Sequence, residues 1–190
     1  MKSVVVGSGG REHALAHVLG RDSDVTVTPG NPGIPNSTTQ SPLNIDADLF
    51  VIGPEAPLVD GLADQLRAQG KTVFGPGVDG AQLEGSKAWM KDLLVEANVP
   101  TAKHGTFTNE DEAIAFLSDM PLPYVIKTDG LAAGKGVIVT ESVNEAKDAI
   151  KNYLSGDAFG DAGKTVVIEE GLIGNEISIL AICDLSLIHI

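Results

Sequence analysis

The sequence predicts an α/β fold that begins with a parallel sheet. Three short runs of apolar, largely β-branched residues each end at a glycine, and segments of helix-compatible composition separate them. Strands and helices that alternate in this order are typical of parallel sheets, whose ligand crevice lies at the carboxyl ends of the strands. The predicted strands are 1–7, 49–52 and 72–74, and the predicted helices between them are 11–19 and 58–68.

The second half of the chain has a different pattern, with short strands around a glycine-rich turn. The composition shifts between residues 100 and 123, a segment that begins and ends with proline, so we expect a domain boundary there. Residues 26–42 are dense in Pro, Gly, Asn, Ser and Thr and are predicted to form a loop. The remaining predicted elements are helices at 82–98, 109–117 and 143–154 and strands at 124–127, 136–140, 165–169 and 176–182.

Charge and composition exclude several classes of partner. The chain has 26 acidic and 13 basic side chains, a formal net charge of −13 and a pI near 4.5, so nucleic acid and anionic membrane surfaces are not expected partners. A hydrophobic fraction of 43% and a mean hydropathy of +0.11 exclude global disorder. The lone Cys183 and the lack of a long apolar run predict a cytoplasmic protein.

The first glycine-rich turn, residues 6–12, resembles the dinucleotide fingerprint G-x-G-x-x-G. Glu12 stands where the third glycine belongs, and the second strand region offers no ribose-binding acid, so NAD binding is not expected. Two interpretations remain open for this turn. Its N–H groups and the following helix N-terminus could hold a phosphate with Arg11 nearby, or the turn is simply tight and carries a solvated Arg-Glu pair.

The second glycine-rich turn, residues 130–136, is not a P-loop, because three residues separate its outer glycines and Gly136 replaces the magnesium-binding Ser or Thr. A glycine-rich hairpin between strands can instead lay its N–H groups over a triphosphate, with lysines supplying charge. Lys127 lies on the strand that leads into the turn, and Lys135 lies within it. A solvated surface position is the alternative for either lysine, but the apolar context of Lys127 favours a cleft.

Two further groups of polar residues are ambiguous by themselves. Residues 168–172 include two acids at the end of an apolar strand. Their carboxylate and main-chain groups could form hydrogen bonds with an adenine amine and ribose hydroxyls. An acidic hairpin loop is the simpler interpretation. His13 and His17 share a helix face but have no third ligand, so no metal site is expected in this chain.

Taken in order, these segments resemble one family, phosphoribosylamine-glycine ligase, also called glycinamide ribonucleotide synthetase, of the ATP-grasp superfamily. The resemblance covers residues 1 to about 184, and G-P-E-A-P-L-V at 53–59 separates this family from other ATP-grasp ligases. The matching motifs are 7–14, 29–33, 53–59, 82–87, 127–137 and 158–163.

The resemblance implies a Rossmann-like parallel-sheet domain at residues 1–104, on the phosphoribosylamine side, and the first or lid subdomain of an ATP-grasp fold at 105–184. Residues 185–190 form an unmatched tail. The implied reaction joins ATP, glycine and 5-phosphoribosylamine into glycinamide ribonucleotide, ADP and phosphate in de novo purine synthesis. The implied cofactors are ATP with Mg²⁺ or Mn²⁺, the partners are these small molecules, and a monomer is expected.

The resemblance also assigns site residues, none of them an acid-base catalyst or a metal ligand. Residues 130–136 are expected to form a flexible lid over ATP, Glu169 with the main chain of Glu170 and Leu172 to meet adenine, and Glu176 to hold the ribose. The ATP-binding residues are expected to be Lys87, Lys127, Gly130, Gly134, Lys135, Gly136, Glu169, Glu170, Leu172 and Glu176. The residues facing the phosphoribosylamine are expected to be Gly9, Gly10, Arg11, Glu12, Glu55, Ala56 and Pro57.

Two departures from the family pattern bear on the function. The stretch between residues 35 and 45 is shorter than the family leads us to expect, and the chain ends before the metal-binding Glu and Asn, so we expect an inactive fragment. Two other functions remain open. The chain could be a stand-alone nucleotide-binding module, or it could belong to another ATP-grasp enzyme, such as a carboxylase acting on a related purine precursor.

Overall fold

The computed structural model describes residues 1–131, 135–156 and 164–181, and within these ranges two four-stranded sheets carry the fold. The first sheet is entirely parallel, as predicted, with strand order β2-β1-β3-β4. Its valine-rich central strands are buried on both faces, and their sequences are therefore unbroken apolar runs. The strands are β1 (Lys2–Gly7), β2 (Asp24–Pro29), β3 (Leu49–Ile52) and β4 (Thr72–Phe74).

Helices cover the first sheet and bury a core around Phe50 and Leu66. The predicted helix at 58–68 is interrupted, because Gly61 has a φ of +83°, a left-handed conformation that an α-helix does not contain. The helices in this part of the chain are α1 (Gly10–Leu19), α2 (Glu55–Val59), α3 (Leu62–Ala68) and α4 (Val78–Gly85).

The predicted loop at 26–42 is partly wrong, because its first residues belong to strand β2. Valine and threonine alternate along β2, and Val27 is completely buried while Thr28 donates a hydrogen bond to the carbonyl of Gln40. β2 pairs in parallel with β1 along its whole length. The Pro- and Gly-rich residues therefore begin at the end of this strand rather than replacing it.

The second sheet is antiparallel, with order β5-β8-β6-β7, and its core lies under helices α6 and α7. Helix α7 has the predicted bounds, and Ser142 caps it by accepting a hydrogen bond from the N–H of Glu145. The elements are α5 (Lys87–Glu96), β5 (His104–Phe107), α6 (Glu110–Phe116), β6 (Tyr124–Thr128), β7 (Val137–Thr140), α7 (Val143–Leu154) and β8 (Val166–Glu170).

Two further predictions are corrected in this half. The predicted helix at 82–98 divides into α4 and α5 at Ser86, whose extended backbone and side-chain bond to the N–H of Trp89 start a new helix. The predicted strand at 176–182 does not form over 176–181, where Ile177 and Ile179 are mostly exposed. No described strand pairs with these residues to offset the cost of ordering their backbone. The motif at 158–163 and the tail at 185–190 lie outside the described residues.

Candidate functional site

The first candidate site is the crevice between the carboxyl ends of β1 and β3. The chain leaves β1 to form β2 on one side and later returns to form β3 on the other, so this crevice is the topological switch point of the sheet. Gly7 ends β1 and Gly53 follows β3. The sequence predicted that the turns after these strands open onto one crevice, and the structure brings them together there.

Arg11 and Glu55 join the two turns across this crevice. The Nη1 of Arg11 donates to Oε1 of Glu55 over 2.9 Å, and both side chains are substantially exposed. The hydrogen bond from Arg11 lowers the pKa of Glu55, and the same bond raises the pKa of Arg11. Gly10 faces open space, and Ala56 and Pro57 lie in the first turn of α2 beside the pair.

Glu12 lies beneath this pair and is only 3% exposed. Its Oε2 accepts a 2.6 Å hydrogen bond from the N–H of Gly9, and its Oε1 accepts a 3.0 Å bond from Nε of Arg11. The Arg-Glu pair expected from the sequence is present, but its carboxylate is buried rather than solvated. One of the N–H groups that could have held a phosphate already has a partner within the chain.

The Pro-Gly-Asn-Pro-Gly segment at 29–33 borders the same crevice. Nδ2 of Asn31 donates to the carbonyl of Ser8 over 2.7 Å, and the N–H of Gly30 donates to the carbonyl of Gly7. Gly30 has a φ of +61°, and a β-carbon at this position would lie 2.0 Å from Oγ of Ser37. The segment is thus fixed against the β1 turn by main-chain and amide contacts.

The second candidate site is a cluster of charged side chains on one face of the antiparallel sheet. Glu169, on β8, is 6% exposed at its side chain and lies between two ammonium groups. Its Oε1 is 2.8 Å from Nζ of Lys127 on β6, and its Oε2 is 2.9 Å from Nζ of Lys91 on α5. Lys91 also donates to Oγ1 of Thr101 over 2.8 Å.

The two lysines differ in their access to solvent. The Lys91 side chain is 6% exposed, whereas that of Lys127 is 24% exposed. Burial alone would raise the pKa of Glu169, but the hydrogen bonds and charges of Lys127 and Lys91 outweigh it and lower that pKa. Glu169 is therefore an ionised carboxylate shared by one enclosed lysine and one partly exposed lysine.

Lys87 lies near the same cluster, and Asp129 holds the start of its helix there. The carboxylate of Asp129 accepts hydrogen bonds from the N–H groups of Lys87 and Ala88 and from the hydroxyl of Ser86, so it caps the N-terminus of α5. Nζ of Lys87 donates to the carbonyl of Gly130 over 2.7 Å. Burial lowers the pKa of Lys87, against the opposing charge of Asp129, and the nearby positive charge of Lys127 lowers it further.

The other predicted ATP-binding residues make no described contact with this cluster except Gly130, whose carbonyl accepts the Lys87 bond, and their roles stay predictions. Gly130 has a φ of +82°, Gly136 accepts a hydrogen bond from the N–H of Thr128, and Lys135 is exposed, whereas Gly134 lies outside the described residues. Glu170 accepts a bond from the N–H of Lys103 through its side chain. Leu172 and Glu176 are exposed and follow β8 without regular structure.

Sequence analysis missed Lys91, Thr101 and Asp129. Lys91 stands four residues after Lys87 and so lies on the same side of α5. That spacing was a signal, but a lysine in a helix is usually solvated, and only its low exposure and its ion pair with Glu169 show this one to be enclosed. Asp129 precedes the glycine-rich turn, and its role depends on a contact 42 residues away along the chain.

Two kinds of feature are absent from the described residues. No group of three or more His, Cys, Asp or Glu side chains in these ranges is placed to hold a metal ion. Among the described helices, none has the length and apolar character needed to cross a membrane.

Two family models match the chain and together span almost all of it. The model of the phosphoribosylglycinamide synthetase N domain matches residues 1–84, and the model of the ATP-grasp (A) domain of the same enzyme matches residues 85–189.

Known proteins agree with these models. The phosphoribosylamine-glycine ligase of Escherichia coli O6:H1 is 46% identical over 97% of this chain, and the crystal structure of the Thermotoga maritima ligase has a TM-score of 0.76 and 30% identity over 92% of it. N5-carboxyaminoimidazole synthetase from Staphylococcus aureus, solved with ADP, shares the fold at a TM-score of 0.67 and 16% identity, with 90% of this chain and 47% of that one covered. The chain spans 47% of the E. coli ligase and 45% of the T. maritima chain.

Proposed function

The chain belongs to the phosphoribosylglycinamide synthetase family, and we propose that it supplies the phosphoribosylamine side and the nucleotide lid of an ATP-dependent ligase. The proposed reaction joins glycine to 5-phosphoribosylamine and yields glycinamide ribonucleotide, ADP and phosphate, a step of purine synthesis. Because the chain spans about half the length of its curated relatives, the activity is assigned to a protein of the relatives' length. The observation that carries the proposal is the Lys87-Lys127-Glu169 cluster beside the 130–136 turn.

The cluster has the properties that a triphosphate site needs. Lys87 and Lys127 come from different elements, yet their charges interact, and burial already disfavours the ammonium form of Lys87. Phosphate oxygens arriving between them would relieve that repulsion and form charge-assisted hydrogen bonds. We assign Lys87, Lys127, Lys135 and the N–H groups of Gly130, Gly134 and Gly136 to the phosphates.

The adenosine end of ATP is assigned to the end of β8. Glu169, the main chain of Glu170 and Leu172, and Glu176 are the proposed contacts. Glu169 and Glu170 are adjacent on the strand, and the following residues are exposed and thus accessible to a ligand. Carboxylates accept hydrogen bonds from an adenine amine or a ribose hydroxyl, and main-chain groups recognise the edge of a base.

The phosphoribosylamine is assigned to the crevice at the ends of β1 and β3. Gly9, Gly10, Arg11, Glu55, Ala56 and Pro57 border its open side, and Glu12 supports Arg11 from beneath. Ligands of α/β sheets bind in such crevices at the topological switch point.

The proposed chemistry has two displacements. An oxygen of the glycine carboxylate attacks the γ-phosphorus of ATP, the bond to the β-γ bridging oxygen breaks, and ADP leaves with that electron pair. The amine of phosphoribosylamine then attacks the acyl carbon, the C–O bond to phosphate breaks, and the nitrogen loses a proton. Such phosphoryl transfer depends on positioning and charge neutralisation, which lysines and main-chain N–H groups supply.

A divalent cation, Mg²⁺ or Mn²⁺, is expected to take part at the family level. The family resemblance implies that its ligands come from a part of the ligase that this chain does not contain, and among the described residues no carboxylate cluster is placed to hold a metal ion. A cytoplasmic location, a monomeric state and the division of the chain at residues 104 and 105 also stay predictions.

The proposal is tested with a ligase of the relatives' length that carries this sequence. ADP release should require both glycine and phosphoribosylamine, and glycinamide ribonucleotide should form in equal amount. ADP release that depends instead on bicarbonate would favour the carboxylase alternative and contradict the proposal. The 190-residue chain alone is expected to give no turnover, and turnover of about 1 s⁻¹, an ordinary enzyme rate, would show that it is sufficient.

A further inference from the structure

We propose that the carboxylate of Glu12 is a permanent occupant of the anion position in the β1-α1 turn, and that it determines which end of a ligand this turn accepts. A phosphate is excluded from the turn, and an amine or hydroxyl group is accepted beside it. The inference rests on the proposed function for the identity of the ligand, but the occupancy itself is a property of this chain.

The position of Glu12 is the one that a bound phosphate takes in dinucleotide-binding sheets. In the fingerprint G-x-G-x-x-G/A, the pyrophosphate lies at the N-terminus of the first helix, at the switch point of the sheet. Gly7, Gly9 and Glu12 correspond to the three glycine positions, and the Glu12 side chain turns back into that crevice. The ligand position of the motif is therefore filled by the residue that departs from the motif.

The two strand-end turns are shaped around this side chain. A β-carbon added to Gly53 would lie 2.1 Å from Oε1 of Glu12, and one added to Gly7 would lie 2.5 Å from its Cγ. A β-carbon on Gly9 would lie 2.9 Å from Oε2. Glycine at these three positions leaves the space that Glu12 fills, so the glycines are explained without any external ligand.

Hydrogen bonding and charge, like this packing, exclude a phosphate from the turn. Oε2 of Glu12 accepts a 2.6 Å hydrogen bond from the N–H of Gly9, so this donor is not available to a phosphate. Nε of Arg11 donates a hydrogen bond to Oε1 of Glu12, and Nη1 of Arg11 donates to Glu55. Two carboxylates and one guanidinium carry a combined charge of −1, which repels a phosphate and favours a hydrogen-bond donor.

This arrangement fixes the orientation of the proposed substrate. Phosphoribosylamine carries a phosphate at one end of the ribose and an amine at the other. The carboxylate of Glu55 would accept hydrogen bonds from the amine or the ribose hydroxyls, and other residues would bind the phosphate. Glu12 is thus a specificity-determining residue that acts through occupancy and through Arg11.

The experiment uses the ¹⁵N-labelled 190-residue chain and inorganic phosphate as the probe. The wild-type chain should show no saturable phosphate-dependent shift of the Gly9 amide. Glu12→Ala completes the pattern G-x-G-x-x-A and frees the Gly9 N–H, so that amide should shift saturably, with phosphate affinity higher by about ten-fold or more. In Glu12→Ser the Gly9 amide should also shift saturably with phosphate, and this variant replaces Glu12→Ala if the latter does not fold.

Two further variants separate occupancy from charge. Glu55→Ala removes a carboxylate from the same Arg11 but leaves Glu12 in place, so it should create no phosphate site at Gly9. Glu12→Gln keeps a carbonyl of the same reach and should also keep phosphate out. Saturable phosphate binding at Gly9 in the wild-type chain, or none in a folded Glu12→Ala or Glu12→Ser chain, overturns the proposal. Because no ligase reaction is involved, failure of the proposed function would leave these results unaffected.

Discussion

The two sheets each bury one glutamate at a candidate site, and they neutralise it in different ways. Glu12, in the parallel sheet, is enclosed by glycines, bonded to a main-chain N–H and held by one arginine. Glu169, in the antiparallel sheet, has two lysines as partners, and one of them is partly exposed. One arginine thus serves two carboxylates at the first site, whereas two lysines serve one carboxylate at the second.

The comparison shows why burial alone does not identify a ligand-binding residue. Both carboxylates are almost inaccessible, yet we propose that Glu12 excludes an anion and that Lys127, beside Glu169, binds one. What differs is the number of compensating cations, because Glu12 and Glu55 share the single guanidinium of Arg11, whereas Glu169 alone pairs with two ammonium groups.

Replacing Glu169 by alanine should have the largest effect on stability. It leaves the enclosed Lys91 with Thr101 as its remaining polar partner, and breaking a buried ion pair in this way costs about 3–5 kcal/mol. Urea denaturation of the 190-residue chain measures the free energy of unfolding. The neighbouring Glu170→Ala variant is the control and should lose less than about 1.5 kcal/mol, since its bond to Lys103 is exposed. Equal losses for the two variants would contradict this assignment.

Replacing Lys91 by methionine should destabilise the chain more than the same change at Lys127. Both variants remove one cation from Glu169, but the partner at 6% exposure cannot be replaced by water, whereas the partner at 24% exposure is partly solvated. We expect losses of about 2–3 kcal/mol for Lys91→Met and about 1 kcal/mol for Lys127→Met. The reverse order in urea denaturation would show that Lys127 is the structural partner.

Replacing Glu12 by alanine should cost about 2 kcal/mol, from the lost bonds to Gly9 and Arg11 and the space left between the glycines. Inorganic phosphate should restore part of this loss, because it can occupy the freed position. The thermal midpoint of Glu12→Ala should therefore rise with phosphate concentration. Glu169→Ala should show no such rise, and an equal rise in both variants would indicate a general salt effect.

The pH dependence of stability should also differ between the sites. The lowered pKa of Glu169 stabilises the folded chain above the ordinary glutamate value of 4.5, and this contribution is lost as pH falls through the lower folded pKa. Glu55 has a lowered pKa too, but its exposed pair with Arg11 is screened by solvent. Between pH 7 and pH 3, Glu169→Gln should flatten the stability curve clearly and Glu55→Gln only slightly. Equal flattening would contradict the comparison.

The sequence predicted those elements whose signal is local. Strands β3 and β4 and helix α7 have their predicted bounds, because apolar runs and a serine cap do not depend on distant contacts. Strand β2 was missed although valine and threonine alternate along it, since the turn-forming residues that follow dominated the composition. Strand β5 contains His104 and Gly105, which disfavour a strand, and it forms by pairing with β8.

The candidate sites were predictable to a similar extent. Lys87, Lys127 and the two glycine-rich turns stand out from the motifs, and the parallel sheet brings the turns after β1 and β3 together as expected. The bond from the N–H of Gly9 to Glu12 is local, because a glutamate at the third position of a helix can reach back to the residue that caps it. The enclosure of Lys91 and the helix cap by Asp129 depend on contacts between elements far apart in sequence. A single sequence contains no signal for such contacts beyond residue spacing.

The most direct test of the nucleotide site is the ATP dependence of a Lys127→Ala ligase of the relatives' length. Lys127 is assigned a charge-assisted contact with phosphate, worth about 1.5–3 kcal/mol, so kcat/KM for ATP should fall by about ten-fold to a hundred-fold. Lys147→Ala, on the exposed surface of α7, is the matched control and should leave the kinetics unchanged. An unchanged kcat/KM for ATP in Lys127→Ala would contradict the assignment of this cluster to the triphosphate.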